Sequence, residues 1–219
     1  MYFLYDELQR AIGGKLCCRA HFCNEVDENI VVCSSDTMIV YQVVSYRVQN
    51  TNEQGNGHVA YQLRLVSEYP LSGEVLCIAP VPMSVVFPVT DVPHRDALIM
   101  SFKGNYVSVV SFDDYDTTIQ TIECYDFNRE ACIAQDSSGD DWVLCLGSEK
   151  ELEFGDNGYI QNQGLIRVDP SYQCFSVLLN RFTFIIVPLT TKGLGTPFSV
   201  YKSLLGFEGE IKDYCFLSN

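Results

Sequence analysis

The densest set of metal-ligating side chains lies near the start of the chain: Cys17, Cys18, His21 and Cys23. On a strand, side chains two apart share a face, so Cys17, His21 and Cys23 are expected on one side. Three such groups with a fourth ligand would suit zinc. Structural zinc sites, however, take ligands in pairs from tight knuckles about two to four residues apart, and no second pair follows. A buried strand with small thiols accounts for the same residues. The carboxylates Asp113, Asp114 and Asp116, and then Asp136, Asp140 and Asp141, would suit a divalent cation. Neither run has the spaced oxygen ligands and central glycine of a calcium loop, so solvated acidic turns are expected. His21, His58 and His94 stand in separate contexts, none beside a nucleophile. The chain has no Gly-x-Ser-x-Gly, no His-Glu-x-x-His and no phosphate-cradling Gly-Lys-Ser/Thr loop. The expectation is therefore no catalysis, with no catalytic, cofactor or metal residue assigned. Tyr172, Phe182 and Phe184 imitate the aromatics of an RNA-stacking sheet. Such a sheet also carries basic residues and a fuller Gly-aromatic pattern, so core packing is the expected role.

Charge points the same way. Lys and Arg number 14 against 28 Asp and Glu, a net charge of −14 and a pI near 4.4. Direct nucleic-acid binding needs clustered cations to displace counterions from phosphates. The basic residues here are scattered, and the whole should repel RNA at long range. There are ten cysteines. Cys33, Cys77, Cys124, Cys132, Cys145, Cys174 and Cys215 mostly sit inside apolar runs, as small buried hydrophobes do. The opening Met1-Tyr2-Phe3-Leu4-Tyr5 lacks the basic start and length of a secretory signal. Free thiols in a reducing compartment are the expected state. No apolar run approaches the ~20 residues a membrane helix needs.

The elements that would position these residues are strands. Asp96 to Asp113 reads as two strands, Ala97 to Phe102 and Tyr106 to Phe112, turned at Lys103 to Tyr106. Gly104 and Asn105 tolerate the positive φ of a tight two-residue hairpin turn. Both faces of this hairpin carry apolar groups, which predicts burial on both sides. Asn29 to Val44 and Gln173 to Leu189 have the same build, turning at Ser34 to Asp36 and near Asn180 and Arg181. One hairpin type recurring at wide intervals predicts small sheets arranged in series, as in β-propeller blades of four-stranded antiparallel meanders.

Along the chain, Asp6 to Ile12 suits a short helix stopped by Gly13 and Gly14, and Lys15 to Cys23 a strand. Asn24 to Glu28 is an acidic turn and Tyr46 to Val59 a polar loop. Tyr61 to Ser67 and Val75 to Val81 read as a hairpin across Pro70 to Gly73, the second strand starting a blade near the axis. Pro82 to Pro93 is a loop with apolar content, a contact site if exposed and otherwise, as favoured, folded over a blade edge. Thr117 to Cys124 is an outer strand, and residues 125–164, acidic and containing Trp142, are the longest departure from strand pattern. Pro170 suits the start of a strand, where its missing amide costs nothing. Thr190 to Pro197 is a loop, and Phe198 to Leu204 and Ile211 to Leu217 are further strands. The fold class expected is all-β: a partial propeller of three to four blades.

These stretches also carry a resemblance. Arg95, Asp96, Ala97 and Leu98, then Ser101, Phe102 and Lys103, then Ser108, Val109, Val110, Phe112 and Asp113 follow one pattern. That pattern resembles the N-terminal region of the large subunit of the cleavage and polyadenylation specificity factor. Arg167, Val168, Asp169 and Pro170, with Cys174 and Pro188, fit its second motif, and Met1-Tyr2 and Glu28 to Tyr41 fit in the same order. The resemblance implies a nuclear, non-enzymatic scaffold built on three propellers, with residues 125–164 an acidic insertion between blades. Such a scaffold holds a WD-repeat subunit and a zinc-finger subunit that read the AAUAAA signal, so pre-mRNA is met indirectly and no membrane is involved. It implies no cofactor and carries no contact residue onto this chain. Sister scaffolds, in damaged-DNA recognition with ubiquitin ligase assembly and in the branch-point splicing complex, are the alternative. Because the family is far longer, residues 1–219 are expected to be the N-terminal portion of an incomplete propeller.

Overall fold

The computed structural model describes residues 13–48, 58–87, 94–113, 115–127, 132–135, 141–144, 164–180, 183–201, 211 and 213–217. The expected helix over Asp6 to Ile12, most of the 125–164 insertion, Asp114, Asp136, Asp140, Phe182 and the side chains of His58 and Trp142 lie outside the described residues.

The regular structure of the described residues is almost wholly strand, in antiparallel sheets. The first sheet is a meander of β1 (Leu16–Ala20), β2 (Asn29–Cys33), β3 (Thr37–Val48) and β4 (His58–Pro70). The second is a meander of β5 (Val75–Pro82), β6 (Asp96–Phe102), β7 (Tyr106–Asp113) and β8 (Thr118–Asp126). One helical turn, α1 (Met83–Val86), joins β5 to β6. β9 (Cys132–Gln135) and β10 (Asp141–Leu144) form a separate pair. The third sheet runs β11 (Leu165–Val168), β12 (Cys174–Asn180) and β13 (Thr183–Thr190), with β14 (Gly193–Leu194) and β15 (Phe198–Tyr201) both on β13. The sheets follow one another as blades do: β5, first strand of the second sheet, packs against β1 on one side and β11 on the other. This is the all-β, propeller-like series expected from the recurring hairpins.

The core divides at the second sheet. Leu98 and Met100 of β6, with Val110 and Phe112 of β7, pack against Val31, Cys33, Met38 and Val40 of the first sheet. Ala97, Ile99, Val107 and Val109 point the other way, into Phe175, Val177, Ile185 and Val187 of the third. The central hairpin is thus buried on both faces, as its sequence implies. Its loop is longer than expected: Tyr106 pairs with Phe102, which leaves Lys103, Gly104 and Asn105 to turn the chain. Gly104 (φ 94°) and Asn105 (φ 61°) supply the left-handed conformation that the turn requires.

Several expected elements are corrected. Tyr46 to Val59 is not simply a loop: β3 runs on to Val48, β4 begins at His58, and the two pair up to that level. Tyr61 to Ser67 and Val75 to Val81 do not form a hairpin. β4 ends the first sheet and β5 opens the second, so Pro70 to Gly73 links sheets; β5 does start a sheet, as read. Pro82 to Pro93 includes α1, whose Val86 is buried between β5 and β13. Pro170 lies in a turn after β11, not at a strand start. That turn is held by Asp169, whose carboxylate accepts from the Ser171 hydroxyl and the Gln173 amide. Ile211 to Leu217 is no strand in its described residues. It nevertheless lies along the third sheet, with Tyr214 anchored to β11 and β12.

Candidate interaction surface

The residues singled out for chemistry are dispersed. β1 ends at Ala20, so strand alternation does not carry Cys17, His21 and Cys23 onto one face. Cys17 is exposed, Cys18 half-buried and Cys23 buried. Cys18 and Cys33 face the core between the first two sheets, and burial pushes both thiols up to about 12. Such thiols stay protonated near neutrality, whereas zinc takes thiolates. Among the described residues no group of three or more His, Cys, Asp or Glu is placed to hold a metal. Asp113 is engaged locally: one carboxylate oxygen accepts from the Tyr115 amide and the other from Gln120. Asp116 sits in the β7–β8 turn, and Asp141 opens β10. His94 is exposed, its amide donating to Glu25 Oε1 at 3.2 Å. Tyr172 sits exposed in a turn at φ 55°. Phe184 packs edge-on against Tyr214, with ring centroids 4.8 Å apart.

The polar motif residues join one sheet to the next. At the end of β1 the His21 amide donates to Asp96 Oδ2 (2.7 Å), and the Asp96 amide donates back to the His21 carbonyl (2.8 Å). Arg95 donates to the Cys23 carbonyl at 3.1 Å. Asn29 Oδ1 accepts from the amides of Phe22 (3.1 Å) and Cys23 (2.9 Å), which holds the chain as it leaves β1. Between the second and third sheets, the Ser101 hydroxyl donates to the Gly164 carbonyl. On the third sheet Arg167 pairs with Asp213 at 2.9 Å and donates to the Tyr214 carbonyl at 3.3 Å. The Tyr214 hydroxyl lies 2.8 Å from the Ser176 carbonyl and 3.1 Å from the Leu165 carbonyl, its one proton shared between them, and accepts from the Ser176 hydroxyl (3.0 Å). At the seams, Asp96, Arg95, Asn29 and Ser101 satisfy backbone groups that lie beyond the strand ladders.

What the structure presents outward is apolar. β2 reaches only to Gln42 along β3, so beyond that point β3 and β4 continue as a two-stranded ribbon. On the side away from the second sheet, Leu65 lies opposite Tyr41, Leu63 opposite Val43 and Tyr61 opposite Ser45. Leu63 and Leu65 are each about half exposed, and Tyr61 is 72% exposed. Along the same face toward the sheet the exposure ends: Ile30 and Val32 are half-buried and Ile39 is buried. A two-stranded ribbon is marginal in water by itself, and a contiguous exposed apolar patch marks a contact surface. The alternation Tyr61-Gln-Leu63-Arg-Leu65 is visible in the sequence; its exposure is not.

No family model matches the chain. The chain is similar to cleavage and polyadenylation specificity factor subunit 1 of Arabidopsis thaliana, with 26% identity over 180 residues. The match takes in 76% of this chain and 11% of that protein, so the chain spans about a tenth of the length of the curated relative it matches.

Proposed function

We propose that this chain is a non-enzymatic scaffold segment of the nuclear machinery for pre-mRNA 3′-end cleavage and polyadenylation. In this reading it helps hold the WD-repeat and zinc-finger subunits that recognise the polyadenylation signal. The observation that carries the scaffold reading is the exposed apolar stripe Tyr61, Leu63 and Leu65 on the β3–β4 ribbon. A rigid series of sheets whose seams are tied by buried polar bonds presents such a surface in one geometry, which lowers the ordering cost of binding. Similarity to the Arabidopsis subunit supports the choice of complex. The net charge of −14 supports protein rather than RNA as the direct partner.

The test is co-purification from nuclear extract with the tagged chain, alone and within the longest transcript product that contains it. Recovery of WD-repeat and zinc-finger polyadenylation subunits with the longer product is the expected result. Recovery of cullin or branch-point splicing components instead would move the chain to a sister scaffold.

A further inference from the structure

A cleft of about 600 Å³ opens between the end of β4 and the outer half of the second sheet. That volume lies within the range of small-ligand pockets, roughly 300–1,000 Å³. Its floor is apolar: Met100 and Val110 are buried, and Ile119 is half-buried beside them. Its rim is made of neutral hydroxyls, Tyr106, Ser108 and Thr121, with the Cys124 thiol beside Ser108. Tyr69 walls the near side and ties across to the β7–β8 turn, its hydroxyl donating to the Thr117 carbonyl at 3.0 Å.

One residue of the lining is charged, Lys103. Its ammonium lies 3.4 Å from Glu74 Oε2, while Lys15 holds Oε1 of the same carboxylate at 3.0 Å. Lys15 is also the larger cause of the downward shift of the Glu74 carboxyl. Two cations thus share one anion, and the Lys103 side chain is 70% exposed. Lys103 can turn to a second carboxylate while Lys15 keeps Glu74 neutralised. The surplus is local: the chain's overall −14 acts across distances that salt screens beyond about 8–10 Å.

We propose that this cleft binds a peptide segment in which an aromatic or long aliphatic side chain is flanked by a carboxylate. The anchor fills the apolar floor, the hydroxyls meet the peptide backbone, and Lys103 receives the carboxylate. A basic segment finds no carboxylate in the lining. The proposal rests on the scaffold reading for its choice of a peptide ligand.

The probe is a displayed library of random nine-residue peptides, panned on the full chain, followed by synthesis of the enriched sequence. The expected outcome is enrichment of Phe, Tyr, Trp or Leu next to Asp or Glu. Lys103→Glu and Thr121→Trp, the second of which fills the cleft, should each weaken the synthetic peptide at least tenfold. Lys192→Glu, in the β13–β14 turn, should leave it unchanged. Bound peptide should also slow alkylation of Cys124 at least threefold relative to Cys17, which is exposed on β1 and outside the lining. Three results would overturn the proposal: no enrichment over bare support, equal loss in the Lys103 and Lys192 variants, or unchanged Cys124 alkylation. The outcome is independent of co-purification. Peptide binding without polyadenylation subunits would sink the functional reading and leave the cleft standing; the reverse would sink the cleft alone.

Discussion

Tyr214 shows how much one side chain ties together. Its hydroxyl meets β11 at Leu165 and β12 at Ser176, and its ring rests on Phe184. Tyr214→Phe removes the one proton these carbonyls share and the acceptor of the Ser176 hydroxyl, which should cost about 1–2 kcal/mol. A lowered urea midpoint checks this, and an unchanged one would mean that the segment does not hold the third sheet. Nothing local in the sequence announces Tyr214, because its partners lie 38 and 49 residues away. Arg95, Asp96 and Arg167 were legible as motif residues but not as sheet ties, since their partners, the Cys23 carbonyl, the His21 amide and the Asp213 carboxylate, are set only by the fold. The thiols were legible as buried only in part: Cys23 and Cys33 are buried and Cys18, Cys77 and Cys174 half-buried, but Cys17, Cys124 and Cys215 are exposed, because an apolar run does not say which face of an outer strand is covered. Cys18 and Cys33 are raised from 9.0 to about 12, in both cases first by burial. Below about 9, both folded and unfolded chains keep these protons, so that part of stability is whole. Between about 9 and 12 the unfolded chain loses protons that the folded chain retains, and stability falls as pH rises. The urea midpoint should therefore drop from about pH 7 to about pH 10, and drop less in a Cys18→Ala, Cys33→Ala variant. Equal pH profiles would contradict the assignment.

At the scale of elements, the sequence was clearest where alternation was apolar on both faces. β6 and β7 fall within a residue of the strands expected, because side chains of both parities are core. Expectation failed where pairing had to be chosen. Pro70 to Gly73 has hairpin chemistry, but β4 and β5 satisfy different neighbours, and turn residues do not say which sheet a strand joins. The long ribbon was half-missed because Tyr46 to Val59 is polar in composition, while its pairing depends on β4. The entry to β11 was also hidden. Gly164 sits at φ 53°, and a Cβ there would lie 2.8 Å from Leu76 Cδ1 and 2.9 Å from Ser101 Oγ. Gly164→Ala should destabilise by about 1–3 kcal/mol through overpacking, with added backbone strain. A wild-type melting temperature would show that β11 does not enter the seam so closely. On the ribbon the reverse is expected. A Tyr61→Ser, Leu63→Ser double variant touches exposed positions and should shift stability by no more than about 0.5 kcal/mol per site. It should nevertheless weaken capture of polyadenylation subunits at least tenfold. Undiminished capture would remove the ribbon from the interface.

At the scale of the molecule, the sheets form a series in which the middle member is covered on both faces and the first extends a ribbon with an exposed apolar stripe. The sequence revealed the repeating unit and the acidic balance. It did not reveal the exposed stripe, because an apolar strand looks the same whether covered by another sheet or left for a partner. The central claim is that this molecule organises RNA readers without reading RNA itself. A mobility-shift assay with a labelled RNA containing AAUAAA tests it directly, with the longest product containing this chain, the WD-repeat and zinc-finger subunits, and each component alone. The account predicts no shift by the chain alone at physiological salt and a sequence-dependent shift only when it is assembled with both subunits. A shift by the chain alone that weakens steeply with salt, or subunits that bind the RNA equally well without it, would contradict the account.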